Sequence, residues 1–204
     1  MPEVGPPGSA VLFIGDSMVS RAGFRCDPPW RLSTRAVPGL TIQRWVGVGL
    51  SWVMEWLEGL EFSDRAGAQI ILWLGGNDVY PRGASFDVPT ALDTVARLNE
   101  VVNKIKELGV GVTVLGTAPR PSHDRGRVWE STPAFWLERA LCELGRTTGA
   151  DFIPLGRRLC RRDGRRRKYH LVPDFFARDE VHLSHQGYQR LVPWLPVWLG
   201  LGKV

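Results

Sequence analysis

Val11-Leu12-Phe13-Ile14-Gly15-Asp16-Ser17 reads as a buried strand that runs into a turn. Four apolar residues closed by glycine and aspartate leave the Ser17 hydroxyl at the carboxyl edge of a sheet, where open α/β sheets hold their ligands. Near the other end of the chain, Asp179-Glu180-Val181-His182 sets a carboxylate three residues before an imidazole. That spacing lets Asp179 orient His182 as a general base, so Ser, His and Asp are all supplied. Two further segments suit the same edge. Gly75-Gly76-Asn77-Asp78 follows the strand-like run Ile70 to Leu74 and brings out a side-chain amide able to donate to an oxyanion. Gly39, in Val37-Pro38-Gly39, offers a backbone N–H at a residue that a substrate can approach closely.

Short apolar runs alternate with longer stretches of helical period. Ala10 to Ile14, Leu32 to Val37, Ile70 to Leu74, Val110 to Leu115 and Asp151 to Leu155 read as strands. Thr41 to Leu60, Pro89 to Leu108 and Thr132 to Thr148 read as helices, and a shorter helix follows His182 before Pro193 and Pro196 interrupt it. This alternation predicts an α/β protein, a parallel sheet with helices on both faces.

Ser, Gly, Asn and His, each closing a core element and in that order, resemble the SGNH or GDSL hydrolase superfamily. The likeness runs from Val11 to Tyr188, and the segment Asp179 to Tyr188, with its Gly187-Tyr188, resembles the family's closing segment along its length. It implies a three-layer α/β/α, flavodoxin-like fold with a five-stranded parallel sheet. It also implies a serine esterase: Ser17 as nucleophile, His182 as base, Asp179 as the acid that orients it, and Ser17, Gly39 and Asn77 as oxyanion donors. The substrate class would be short-chain acyl or acetyl esters of lipid or carbohydrate, cleaved through an acyl-serine with no cofactor and no metal. Val11 to Val19 is locally similar to the start of intracellular platelet-activating-factor acetylhydrolase catalytic subunits, but agreement weakens beyond Val19. His185 and Asp174 are a second imidazole and a second acid within reach of the same segment. Asp16 and Asp78 more simply hold turns through nearby backbone N–H groups.

Other plans do not fit. A Gly-x-Ser-x-Gly elbow would need glycine where Val19 stands, and its acid and histidine lie well apart in sequence. No His-Glu-x-x-His, paired Cys-x-x-Cys or Walker glycine loop is present.

With 204 residues, 44% hydrophobic and 23% charged, the chain suits one domain over 10–204 preceded by a loose, proline- and glycine-bearing segment, 1–9. No stretch reads as a signal peptide or a membrane span. Cys26, Cys142 and Cys160, odd in number and widely spaced, point to reduced thiols and an intracellular setting, cytoplasmic or nuclear.

The segment 157–168 holds eight of the 26 basic residues and one of the 21 acidic ones. The rest of the chain has 18 basic against 20 acidic residues, net −2, whereas the whole carries +5. Arg161, Arg162, Arg165, Arg166, Arg167 and Lys168 are therefore candidate phosphate or anion ligands, for nucleic acid or an anionic membrane surface. The competing reading is a solvated loop. A module of this fold, with little turnover and a basic segment for nucleic acid or membrane, is the alternative to an esterase; such domains also accompany nucleic-acid-binding regions in retroelement proteins. Trp45, Trp52 and Trp56 recur on one helical face as a core stripe. Trp129 and Trp136, with Arg120, His123 and Arg125, belong to a loop region expected to overhang the site.

Overall fold

The computed structural model describes residues 10–81, 86–164 and 168–202. In chain order the elements are β1 (Ala10–Gly15), α1 (Ser17–Ala22), β2 (Phe24–Cys26), β3 (Arg31–Ala36), α2 (Ile42–Val46), α3 (Gly49–Glu58), α4 (Phe62–Arg65) and β4 (Gln69–Trp73). There follow α5 (Gly76–Val79), α6 (Val88–Glu107), β5 (Gly111–Leu115), α7 (Pro121–Asp124), α8 (Pro133–Thr148) and β6 (Asp151–Ile153). The chain closes with β7 (Cys160–Arg162), β8 (Tyr169–Leu171), α9 (His185–Leu191) and β9 (Leu199–Leu201).

Five strands form a parallel sheet in the order β3-β1-β4-β5-β6, so the chain builds outward from β1 in both directions. Alternation along each strand sorts the core into two layers. Leu12, Ile14, Ile70, Leu72, Val112 and Val114 join a cluster with buried residues of α2, α3, α6 and α8. Val11, Phe13, Ile71, Trp73 and Leu115 face the other way, toward Met18 and Val19 of α1 and Tyr188 and Leu191 of α9. This is the three-layer α/β/α arrangement, and the five expected strands are its five sheet members.

The differences are local. The stretch expected as one helix from Thr41 to Leu60 is two, α2 and α3, because Gly47 closes the first and Val48 leaves the helical region at φ −130°, ψ −11°. The tryptophan period hides that break. Trp45 is fully buried, while Trp52 and Trp56 lie half-buried against the same cluster. The basic segment is not simply a loop: β7 and β8 pair as an antiparallel hairpin, and β2 pairs with β9. Residues 1–9 and Arg165, Arg166 and Arg167 of the segment lie outside the described residues.

Candidate active site

The turn after β1 is built for close approach. A Cβ on Gly15 would lie 2.2 Å from Val19 Cγ2 and 2.8 Å from the Trp73 carbonyl oxygen, so any larger residue would push α1 off the sheet. Asp16 caps α1, its carboxylate accepting from the Met18 N–H at 2.8 Å, and Ser17 becomes the first helical residue. Gly39 stands at φ +73°, a left-handed conformation suited to glycine, in a turn closed by the Leu40 N–H on the Val37 carbonyl. The Val37 N–H donates to the Gly15 carbonyl at 2.9 Å, which fastens this turn to the one that carries Ser17.

His182 arrives from the far end of the sequence, held by its own turn. Both oxygens of Asp179 are occupied: Oδ1 accepts from the N–H groups of Val181 (3.0 Å) and His182 (2.9 Å), and Oδ2 meets His182 Nδ1 at 2.7 Å. Burial alone would raise the Asp179 pKa, but those bonds outweigh it and hold the carboxylate well below its usual range. Glu180, at φ +54°, takes the left-handed conformation that lets the turn close, and Arg125 pairs with its carboxylate at 2.5 Å. Through this turn His182 presents Nε2 to Ser17 Oγ at 2.8 Å, across 165 positions of sequence. Arg21, one turn along α1 from Ser17, adds a half-exposed ion pair to Asp179 at 3.2 Å.

Asn77 sits in a second polar chain. Its Nδ2 donates to Asp16 Oδ2 at 2.8 Å and to the Leu40 carbonyl at 3.1 Å, while Arg120 donates to its Oδ1 at 3.0 Å. Both amide protons are therefore committed to protein acceptors. Asp78, next in sequence, accepts the N–H groups of Ile42 (2.8 Å) and Gln43 and so fixes the start of α2 beside Gly39. Burial raises the pKa of both Asp16 and Asp78 despite the backbone bonds that oppose it. Asp16 thus holds its own turn, as expected, and also grips Asn77, whereas Asp78 holds the start of α2, 36 positions away, and not the turn it sits in.

These residues surround a cavity of about 900 Å³ whose lining includes Ser17, Gly39, Asn77, Arg120, His123 and His182. Pro38, Tyr80 and Pro81 supply its apolar wall. The structure brings Ser17, Asp179, His182, Gly39 and Asn77 into one place. His185 instead meets Gln189 on α9, and the two ring nitrogens of His182 are taken by Asp179 and Ser17, which leaves Asp174 no place on that ring. Arg120 lines the cavity as the loop reading expected, but its grip on Asn77, 43 positions away, has no local signature. Trp129 leaves that loop for the interior, 2% exposed, and Trp136 points to solvent on α8. Among the described residues no group of histidine, cysteine and carboxylate side chains is arranged to hold a metal ion.

A hydroxyl within hydrogen-bond reach of an imidazole, itself oriented by a carboxylate, can be deprotonated as it attacks an electrophilic carbon. Known proteins share this scaffold. The model of the GDSL-like lipase/acylhydrolase family matches residues 13–190. A search of curated proteins found no match to this sequence. Among solved structures, a catalytic mutant of an acetylxylan esterase from Geobacillus stearothermophilus superposes with a TM-score of 0.66 at 19% identity, covering 93% of this chain and 92% of that one. A GDSL-like lipase from Bacteroides thetaiotaomicron gives 0.63 at 15% identity, covering 92% and 85%. At such identities these structures speak for the fold, while the family match over most of the chain speaks for the chemistry: this protein belongs to the GDSL-like lipase/acylhydrolase family and is a hydrolase acting on ester bonds.

Proposed function

We propose that the chain is a serine esterase for short-chain acyl or acetyl esters of a carbohydrate or lipid alcohol. The observation that carries this reading is the unbroken contact from Ser17 Oγ to His182 Nε2 (2.8 Å) and from His182 Nδ1 to Asp179 (2.7 Å). Ser17 Oγ attacks the ester carbonyl carbon while its proton passes to His182 Nε2. The tetrahedral intermediate collapses, the alcohol leaves with that proton, and an acyl-serine remains. Water then attacks the acyl carbon, His182 takes its proton and returns it to Ser17, and the carboxylic acid departs. Asp179 keeps Nδ1 protonated and offsets the imidazolium charge.

The N–H groups of Ser17 and Gly39 and the amide of Asn77 serve the oxyanion. Asn77 does so by giving up its longer bond, the 3.1 Å contact to the Leu40 carbonyl, while Asp16 and Arg120 keep the amide plane in place. A wall of Pro38, Tyr80 and Pro81 beside Arg21, Arg120 and His123 suits a small acyl group next to a polar alcohol. The acetylxylan esterase named above is in keeping with that size of acyl group. Three unpaired cysteines, Cys26, Cys142 and Cys160, support an intracellular setting.

Hydrolysis of p-nitrophenyl acetate, butyrate and longer esters by the wild-type chain and by Ser17→Ala tests the reading. Turnover that declines with acyl length and vanishes in the variant is the expected result. Equal turnover in both proteins would remove Ser17 from the chemistry.

A further inference from the structure

A second cavity, of about 840 Å³, shares no lining residue with the first. Past β6 the chain turns through Gly156–Leu159 into the β7–β8 hairpin, and this path sets Arg157, Arg158, Arg161 and Arg162 around the cavity. Arg190 joins them from α9, its Nε donating to the Arg158 carbonyl at 3.3 Å. Among the described residues none of these five arginines is in a salt bridge. The one carboxylate in the lining, Glu138, is buried and already accepts the N–H groups of Leu155 (3.1 Å) and Gly156 (2.8 Å).

Two of the guanidinium groups are held by aromatic faces. Arg157 lies over the Tyr169 ring at 4.0 Å and also donates to its hydroxyl, and Arg158 lies over Trp194 at 3.2 Å. Desolvation, together with the charges of Arg157 and Arg190, lowers the Arg158 pKa. Positive groups gathered this way repel one another, and a multivalent anion relieves that repulsion. Planar guanidinium forks match phosphate oxygens two at a time, so five of them exceed what one phosphate can engage. A concave cavity of this volume is of small-molecule size, whereas a nucleic-acid duplex or a membrane needs a broader and flatter face.

We propose that this cavity binds a compact anion carrying two or more phosphate groups. Such a chain or cluster of phosphates can belong to a nucleotide or to a phosphorylated headgroup; the recognition chemistry is shared. The probe for that chemistry is inorganic tripolyphosphate, titrated into the intact protein by calorimetry at low salt. ATP and inositol trisphosphate then distinguish the two sources.

Saturable binding is expected, weakened at least about tenfold by Arg158→Gln, unchanged by Ser17→Ala, and weakened by added salt as counterions compete. Arg161→Gln, at an exposed position on the hairpin, should weaken binding as well, which guards against a loss that merely reflects a disturbed Arg158–Trp194 contact. Absence of tripolyphosphate binding, or an affinity that neither arginine substitution moves, would overturn the proposal. So would binding of single-stranded RNA by a protein that ignores tripolyphosphate.

Discussion

The two cavities are similar in size and opposite in bookkeeping. Around Ser17 each polar group has a complement: hydroxyl to imidazole, imidazole to carboxylate, amide to carboxylate, guanidinium to amide oxygen. Around Arg158 five arginines stand together against one buried carboxylate, Glu138, and among the described residues none of the five is in a salt bridge. A site that must do chemistry on its own needs its groups pre-aligned with one another. A site that receives a charged ligand keeps its charges uncompensated, here with two guanidinium groups held on aromatic faces and not by acids. Complementarity within a cavity therefore separates a reacting centre from a receiving one when volume does not.

The largest expected effect tests the first half of that contrast. Ser17→Ala should lower kcat for p-nitrophenyl acetate by about 10⁴-fold or more with an unchanged melting temperature, since the nucleophile and its base act as a unit. Single-turnover assays would detect any remainder. A parallel melting curve would show whether the fold was spared.

Next in size is Asn77→Ala, which should cost about 10²-fold in kcat and leave a measurable rate. The same variant should also lose thermal stability, because it orphans Asp16 Oδ2 in a buried position. An unchanged rate would take Asn77 out of the oxyanion hole and leave it as a brace only.

The second cavity can be probed through its carboxyl group. Burial, only partly opposed by the Gly156 and Leu155 N–H groups and by Arg158, pushes Glu138 up to about 7. Between its ordinary value and about 7 the folded protein keeps a proton that the unfolded chain releases, so stability falls as pH rises through that window. The loss should be on the order of 3 kcal/mol and complete a little above pH 7. Glu138→Gln, whose amide oxygen can still accept the two N–H groups, should flatten the melting temperature between pH 5 and 8. A wild-type slope that survives in the variant would assign that proton elsewhere.

Smallest of all should be Arg21→Gln. The Arg21–Asp179 pair is about half exposed, with side chains 54% and 41% accessible, and such pairs contribute about 1 kcal/mol or less. A change of no more than about fivefold in kcat/KM is expected. A much larger loss would mean that Arg21 contacts substrate.

What could be read in advance follows from range. Gly15-Asp16-Ser17 is legible because a strand end, a cap and a nucleophile fall within three residues, and Asp179 with His182 because acid and base share one turn. The parallel sheet is legible because its central strands β1 and β4 carry apolar runs, Val11 to Ile14 and Ile70 to Trp73, whereas the edge strand β3 mixes polar and apolar residues and reads weakly. Arg120 on Asn77 and Arg190 beside Arg158 are not, since each pairing depends on how separate elements pack. The α2–α3 break escaped because Trp45, Trp52 and Trp56 keep helical period straight across it. Trp129 left its expected place because an indole that size gains more from burial in the core than from lining a polar rim.

The turn that carries Asp179 and His182 is closed on itself, by the Ala177 N–H on the His182 carbonyl at 2.8 Å and by the left-handed Glu180. Acid and base consequently move as one rigid piece, and catalytic competence reduces to a single long-range coordinate, the gap between that piece and Ser17. Heat or denaturant that shifts this turn by an ångström or two would silence the enzyme while the sheet beneath it is still intact, so inactivation should run ahead of melting.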